Sequence, residues 1–371
     1  SVYAISTIGG IASTFFVGLY LLPEQGGVFT AGSFGIALTL FAIIGMVLRK
    51  KWIPVLVGSV LLVIGLISLP ASTSSGTGYK VQYESDGILG QLKVIDQKFQ
   101  THTRGMKKGR FLFVNNTAQT IIDLEQPDYS LWDWAYYFPS AASVFDPKSE
   151  ALLLGLGGGT LVKQFDRLDF NLDVVELDQR IKDITIEYFD IDPSTNITVD
   201  DGRHYINITD KSYDIITMDV FHSETPPAHL MTVESFTKMK EILSEDGMVM
   251  MNFYGYLSGE LGRSARCIYR TFQAAGFETE ILVTPGHEGS RNVIFLAMKS
   301  PKDFSNVTYQ EPGLPPLGDL RLSFIDTNTV DFSDAVVLTD EKPELAKLYV
   351  NCALEWRRGS NMMYTSKFLA E

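Results

Sequence analysis

The sequence predicts an α/β fold: a Rossmann-like doubly wound sheet, preceded by a small antiparallel β unit and by N-terminal transmembrane helices. Three observations predict it. From residue 151 onward, short apolar runs alternate with helical stretches, which is the pattern of βαβ units around a buried parallel sheet. Between 79 and 125, apolar and polar residues roughly alternate, as in strands with one buried face. Before residue 70, three apolar runs (3–22, 28–48 and 52–69) are nearly free of charge. Each is about the length of a helix that crosses a bilayer. The expected organisation is about three transmembrane helices in 1–70, a linker at 71–78, a small β domain at 79–130, a nucleotide-binding domain at 131–300 and a C-terminal extension at 301–371.

The apolar N-terminal runs are expected to be helical because lipid offers backbone groups no hydrogen bonds. Glycines such as Gly9, Gly10, Gly35 and Gly45 permit close helix packing. Arg49, Lys50 and Lys51 lie between the second and third runs. The positive-inside rule puts that loop in the cytoplasm, and the third run would then carry the remainder to the other side. An integral membrane protein with its soluble domain in the cytoplasm is nevertheless the expectation, with the Arg49-Lys50-Lys51 loop arguing the opposite. The Ser/Thr/Gly stretch ending at Gly78 reads as a linker. YKVQY, GQLKVID, RFLFVN and TIIDL then read as short strands. Residues 131–146 are aromatic and read as helical.

In the next part, ALLLGL, LDVVELD, YDIITMDVF and GMVMMNFYG are the apolar runs. Helices are expected at 160–168, 179–189, 232–244 and 262–275. Two further strands in 277–298 form an antiparallel end to the sheet, and a helix is expected at 343–358.

Net charge is −13. Residues 1–70 carry +2, so the remainder carries −15. Such a surface repels phosphate backbones, which argues against a nucleic-acid partner. It would attract a small cationic substrate. Cys267 and Cys352 are the two cysteines; with no CxxC pair and no His/Cys cluster, no metal site is expected, and reduced thiols are.

The residues that suggest chemistry follow the apolar runs. Gly155, Gly157 and Gly159 lie in GLGGG between the first long strand and a helix, where backbone can approach a ligand closely. Glu176 lies about 20 residues further on, the spacing at which an acid binds ribose hydroxyls. Asp201, in DDG after the third strand, is placed to accept from an adenine amino group. Asp219 ends the fourth strand, where open α/β sheets place ligands; its carboxylate suits holding or deprotonating an amine. His222 is a second acid/base candidate. Trp132, Trp134, Tyr136 and Tyr137 suit an aromatic wall.

In this order LLLGLGGGT (153–160), VVELD (174–178), DDG (200–202) and YDIITMD (213–219) resemble the spermidine synthase family, especially its membrane-fused branch. The resemblance covers about 79–345. It implies a β unit followed by a Rossmann-like domain, and transfer of an aminopropyl group from decarboxylated S-adenosylmethionine to an amine. By position it implies that Glu176 binds ribose, Asp201 the adenine side and Asp219 the amine, that Gln119 contacts the nucleoside, and that Tyr136 lines the amine channel. It also departs from the family. Gly158 stands in place of the acid in the glycine loop, His222 in place of a second active-site aspartate, and Phe138 in place of a channel glutamate.

The leading expectation is a membrane-anchored transferase of this type. Its co-substrate is S-adenosylmethionine or the decarboxylated form, its acceptor a small amine, and its surroundings membrane lipid. A homodimer is expected by analogy. A catalytically inactive scaffold or subunit of a membrane complex, and an S-adenosylmethionine-dependent methyltransferase, are the alternatives.

Overall fold

In the computed structural model, residues 2–50, 57–60, 63, 78–100, 105–311 and 316–360 are described. Most of the third apolar run, the linker and residues 361–371 therefore lie outside the described residues. Helix α1 (Val2–Phe16) continues through a π-helical turn (Val17–Leu21) into α2 (Leu22–Leu48). Two stretches, Tyr3–Leu21 and Phe29–Leu48, are long and apolar enough to cross a membrane. Their large side chains face outward, Phe41 and Leu48 among them. At Gly26 α2 departs from helical geometry with φ +76. A Cβ there would lie 2.3 Å from Cβ of Asp86, so the kink bears on the loop that follows the first strand.

Alternation then produces the antiparallel unit. Strands β1 (Tyr79–Ser85), β2 (Leu92–Gln100), β3 (Met106–Val114), β4 (Thr117–Asp123) and β5 (Gln126–Ser130) pair in sequence order. Ile95, Phe99, Phe111, Phe113 and Ile121 fill one face. Leu92, Val94, Leu112 and Ile122 fill the other, against Ile184 and Phe189 of the following unit. Arg110 reinforces this junction by bonding Asp96 and donating to the Tyr188 carbonyl at 2.8 Å. Strand β5 is an addition to the strands read from the sequence.

The aromatic segment forms a 3₁₀ turn (Asp133–Tyr136) and a short helix α3 (Tyr137–Ala142). Beyond it come β6 (Glu150–Leu154), α4 (Thr160–Arg167), β7 (Asn171–Glu176), α5 (Gln179–Tyr188), β8 (Asn196–Val199), α6 (Gly202–Ile208), β9 (Tyr213–Met218), α7 (Val233–Ile242), β10 (Leu243–Tyr254), α8 (Arg263–Ala274), β11 (Glu278–Val283), β12 (Asn292–Met298) and α9 (Leu345–Ser360). The second sheet has the order β11-β12-β10-β9-β6-β7-β8. Strands β6–β10 are mutually parallel, and β12 runs antiparallel to both its neighbours. The apolar runs are continuous because both faces are covered. Leu152 and Leu154 join a core with Ile268 and Phe272 of α8; Ala151 and Leu153 join another with Leu161 and Phe165 of α4. Successive residues point to opposite faces. The strand order reverses between β6 and β9, and such a switch point opens a crevice at the carboxyl ends of the strands.

Candidate functional site

A cavity of about 920 Å³ occupies that crevice. It is bounded by the carboxyl ends of β6, β7, β9 and β10, by β4 and the aromatic segment, and by α9. Of the nine residues expected to carry chemistry, Gln119, Tyr136, Gly155, Gly157, Glu176, Asp201, Asp219 and His222 line it. Gly159 sits behind the wall as the left-handed N-cap of α4, with φ +75.

Two glycines in the turn are dictated by close contact. Gly155 has φ +89, and a Cβ on it would lie 2.2 Å from the Asp219 carbonyl oxygen. With no side chain, it lets the ends of β6 and β9 close, and the Asp219 N–H donates to the Leu154 carbonyl at 2.9 Å. Gly158 explains a departure from the resembled pattern. Its N–H donates to Thr120 Oγ1 at 2.8 Å, and a Cβ would meet Thr120 Cγ2 at 2.6 Å and Phe189 Cδ1 at 2.9 Å. Thr120 of the β unit and Phe189 of the following unit thus fill the space a side chain at 158 would need.

Glu176 ends β7 with its side chain buried. One oxygen accepts from the Leu156 N–H at 3.0 Å and the other from the Asp178 N–H at 2.9 Å. Burial pushes this carboxyl up, against the pull of the Asp178, Leu156 and Leu177 amides. Each oxygen keeps a lone pair beyond its amide bond, and Glu176 borders the cavity, so the group suits a pair of hydroxyl donors.

Asp219 has a different setting. It is partly open to the cavity, yet its carboxylate is enclosed by protein. Burial pushes it up to about 6, opposed by a hydrogen bond from Asn252. Asn252 Nδ2 donates to Asp219 Oδ1 at 2.8 Å, and Asn292 Nδ2 donates to Asn252 Oδ1 at 2.8 Å. Three adjacent strands thus supply a directed chain ending on one carboxylate oxygen. A group titrating near neutrality in a cavity is suited to proton transfer.

Asp201 caps α6. Its Oδ1 accepts from the His204 N–H at 3.0 Å, and its Oδ2 lies 3.0 Å from His229 Nε2. Burial acts to raise this carboxyl, but the donors at His204 and His229 outweigh it and hold it below the usual carboxylate range. Gln119 donates to the Ser223 carbonyl at 2.9 Å, tying β4 to the loop after β9. His222 is exposed and exchanges backbone bonds with Thr225. Tyr136 is buried, and its hydroxyl donates to the Ser130 carbonyl. Among the described residues no group of three or more His, Cys, Asp or Glu side chains is arranged to hold a metal. Cys267 and Cys352 are separate buried thiols.

Sequence reasoning missed Thr120, Asn252, Asn292 and Trp356. Asn252 left a trace, a lone amide inside the apolar run MVMMNFY. Asn292 and Trp356 come from distant elements and left none.

Residues 140–303 match the spermine/spermidine synthase domain. A polyamine aminopropyltransferase of Vibrio vulnificus (strain CMCP6) is 31% identical over 182 residues, 46% of this chain and 59% of that one. A protein of Bifidobacterium longum (strain NCC 2705) named "Probable polyamine aminopropyl transferase" is 26% identical over 208 residues, 55% of this chain and 44% of that one. The chain therefore spans less than two thirds of either relative. The spermidine synthase structure from Thermotoga maritima aligns with a TM-score of 0.48 at 16% identity, over 67% of this chain and 85% of that one. The chain is thus similar to the spermine/spermidine synthase domain over residues 140–303 and to polyamine aminopropyltransferases.

Proposed function

We propose that this chain is a membrane-anchored aminopropyltransferase that uses decarboxylated S-adenosylmethionine as donor and an amine as acceptor. The observation that carries the reading is Asp219: an enclosed carboxylate at the switch point, poised near pH 6, in the same cavity as Glu176 and the glycine turn. At about 920 Å³ the cavity lies toward the upper end of small-molecule sites, with room for donor and acceptor together. The relatives' names support transfer of an aminopropyl group rather than a methyl group.

In this reading Glu176 takes the two ribose hydroxyls, and the backbone of Gly155–Gly157 lies against the nucleoside. Asp201 and Gln119 border its base. The acceptor amine, flanked by Tyr136 and His222, loses a proton to Asp219. Its nitrogen attacks the aminopropyl carbon beside the sulfonium. A C–N bond forms, the C–S bond breaks, and its electron pair returns to sulfur to give methylthioadenosine. The sulfonium is already a good leaving group, so positioning and proton removal are the protein's share. The two apolar helices anchor the domain to a membrane, with the soluble part in the cytoplasm.

The test is release of methylthioadenosine by the purified full chain in detergent, with decarboxylated S-adenosylmethionine and a panel of amines. We expect release with the parent and a loss of about 100-fold or more for Asp219→Asn, within the range for removing a general base. Equal turnover by the variant, or methylated product from S-adenosylmethionine, refutes the reading.

A further inference from the structure

The acceptor side of the cavity has a composition of its own. Phe221 follows Asp219 by two residues, and Tyr254 follows Asn252 by two. The Trp356 ring, from α9, packs on both: 5.3 Å from Phe221, edge to face, and 4.7 Å from Tyr254, nearly parallel. All three line the cavity. Their mutual packing presents a continuous apolar wall rather than an open cage around a cation. Helix α9 is held in place, since Tyr349 donates to the Tyr254 carbonyl at 2.7 Å and Arg357 pairs with Glu224 at 3.1 Å.

That ion pair also matters chemically. Glu224, in the loop after Asp219, accepts from Ser223 and Arg357, so it is already neutralised. Next to Asp219 on the β10 and β12 side stand the uncharged Asn252, Asn292 and Thr284. Glu176, Asp178, Asp200 and Asp201 stand at the ends of β7 and β8, on the nucleoside side. Asp133 also lines the cavity, from the aromatic segment, and is exposed to solvent. A second ammonium carried past Asp219 toward Tyr254 and Trp356 would thus meet rings and amides. Burying an unpaired charge is costly, whereas an apolar group gains from the same surface.

We propose that the acceptor is a primary amine borne on an apolar or aromatic body, which packs against the wall formed by Phe221, Tyr254 and Trp356. This rests on the aminopropyl-transfer reading and specifies its substrate class. Such an amine has two sources, solution or the bilayer. Leu89 lines the cavity and exposed Ile88 precedes it, in the loop whose Asp86 abuts the kink at Gly26.

The experiment measures methylthioadenosine release by the full chain with hexylamine, 2-phenylethylamine and 1,4-diaminobutane, and with dodecylamine in mixed micelles. We expect kcat/KM for the apolar monoamines to exceed that for the diamine by about tenfold or more, the scale of discrimination by an apolar pocket. Dodecylamine outperforming hexylamine assigns a bilayer source; the reverse assigns a soluble one. Trp356→Ala should raise KM for hexylamine about tenfold while methylthioadenosine affinity, measured by calorimetry, stays at the parent value. Trp356→Phe should restore most of the loss. Preference for the diamine, or an unchanged hexylamine KM in Trp356→Ala, overturns the acceptor assignment and leaves the transfer reading standing. No release with any amine overturns both.

Discussion

Asp219→Asn should make the protein more stable as it removes activity, and the gain should depend on pH. Burial lifts the carboxyl from 3.8 to about 6. Each unit is worth about 1.4 kcal/mol, so the ionised carboxylate costs the folded state at most about 3 kcal/mol. Water in the cavity lowers that figure. The sign follows from linkage. Below the unfolded value near 3.8, both states hold the proton and nothing is lost. Between there and about 6 the unfolded chain releases its proton first, so stability falls as pH rises. Above about 6 the full cost is present. Asparagine cannot ionise, and its oxygen still accepts from Asn252. Urea unfolding of parent and variant in detergent, at pH 4 and pH 8, measures the difference. The variant should gain about 1–3 kcal/mol at pH 8 and much less at pH 4. An equal effect at both pH values, or a less stable variant at pH 8, would refute the claim that Asp219 is held against its ionisation.

Two further outcomes are expected. Asn252→Leu removes the hydrogen bond that lowers the Asp219 pKa; a bond to a charged acceptor is worth about 1.5–3 kcal/mol, so the acid limb of the pH–rate profile should move up by about one to two units, and an unmoved limb would contradict the Asn252–Asp219 link. Gly158→Ala should destabilise by about 1–3 kcal/mol through overpacking, and Thr120→Ser in the same chain should recover part of it, since it deletes the clashing Cγ2 and keeps the hydroxyl that Gly158 donates to; denaturation midpoints of the single and double variants decide this.

Where the candidate site residues sit in the fold was largely legible in the sequence because it rests on local signals. The glycine turn, Glu176 and Asp219 each lie at the end of an apolar run, and a run's end fixes where its last side chain sits in a parallel sheet. The two outward-facing apolar helices were legible for a similar reason: length and lack of charge are properties of one segment. Strand β5 was not, because Gln126–Ser130 is short, polar and interrupted by Pro127; it is a strand because β4 offers it a partner. The π-helical turn and the kink at Gly26, which join two apolar runs, carry no period of their own.

The sequence by itself determined the doubly wound sheet, the order of its elements and which strand ends could bear a nucleoside and an acid. Periodicity and turn chemistry act over a few residues, so they survive in the linear chain. Only the tertiary structure decided what surrounds those residues. Thr120 fills the space beside Gly158, Asn252 donates to Asp219 and Asn292 to Asn252, and Arg357 pairs with Glu224 while Trp356 packs on Phe221 and Tyr254. These contacts join elements far apart in sequence, and a group's charge, access and apolar surroundings are set by whichever side chains folding brings beside it.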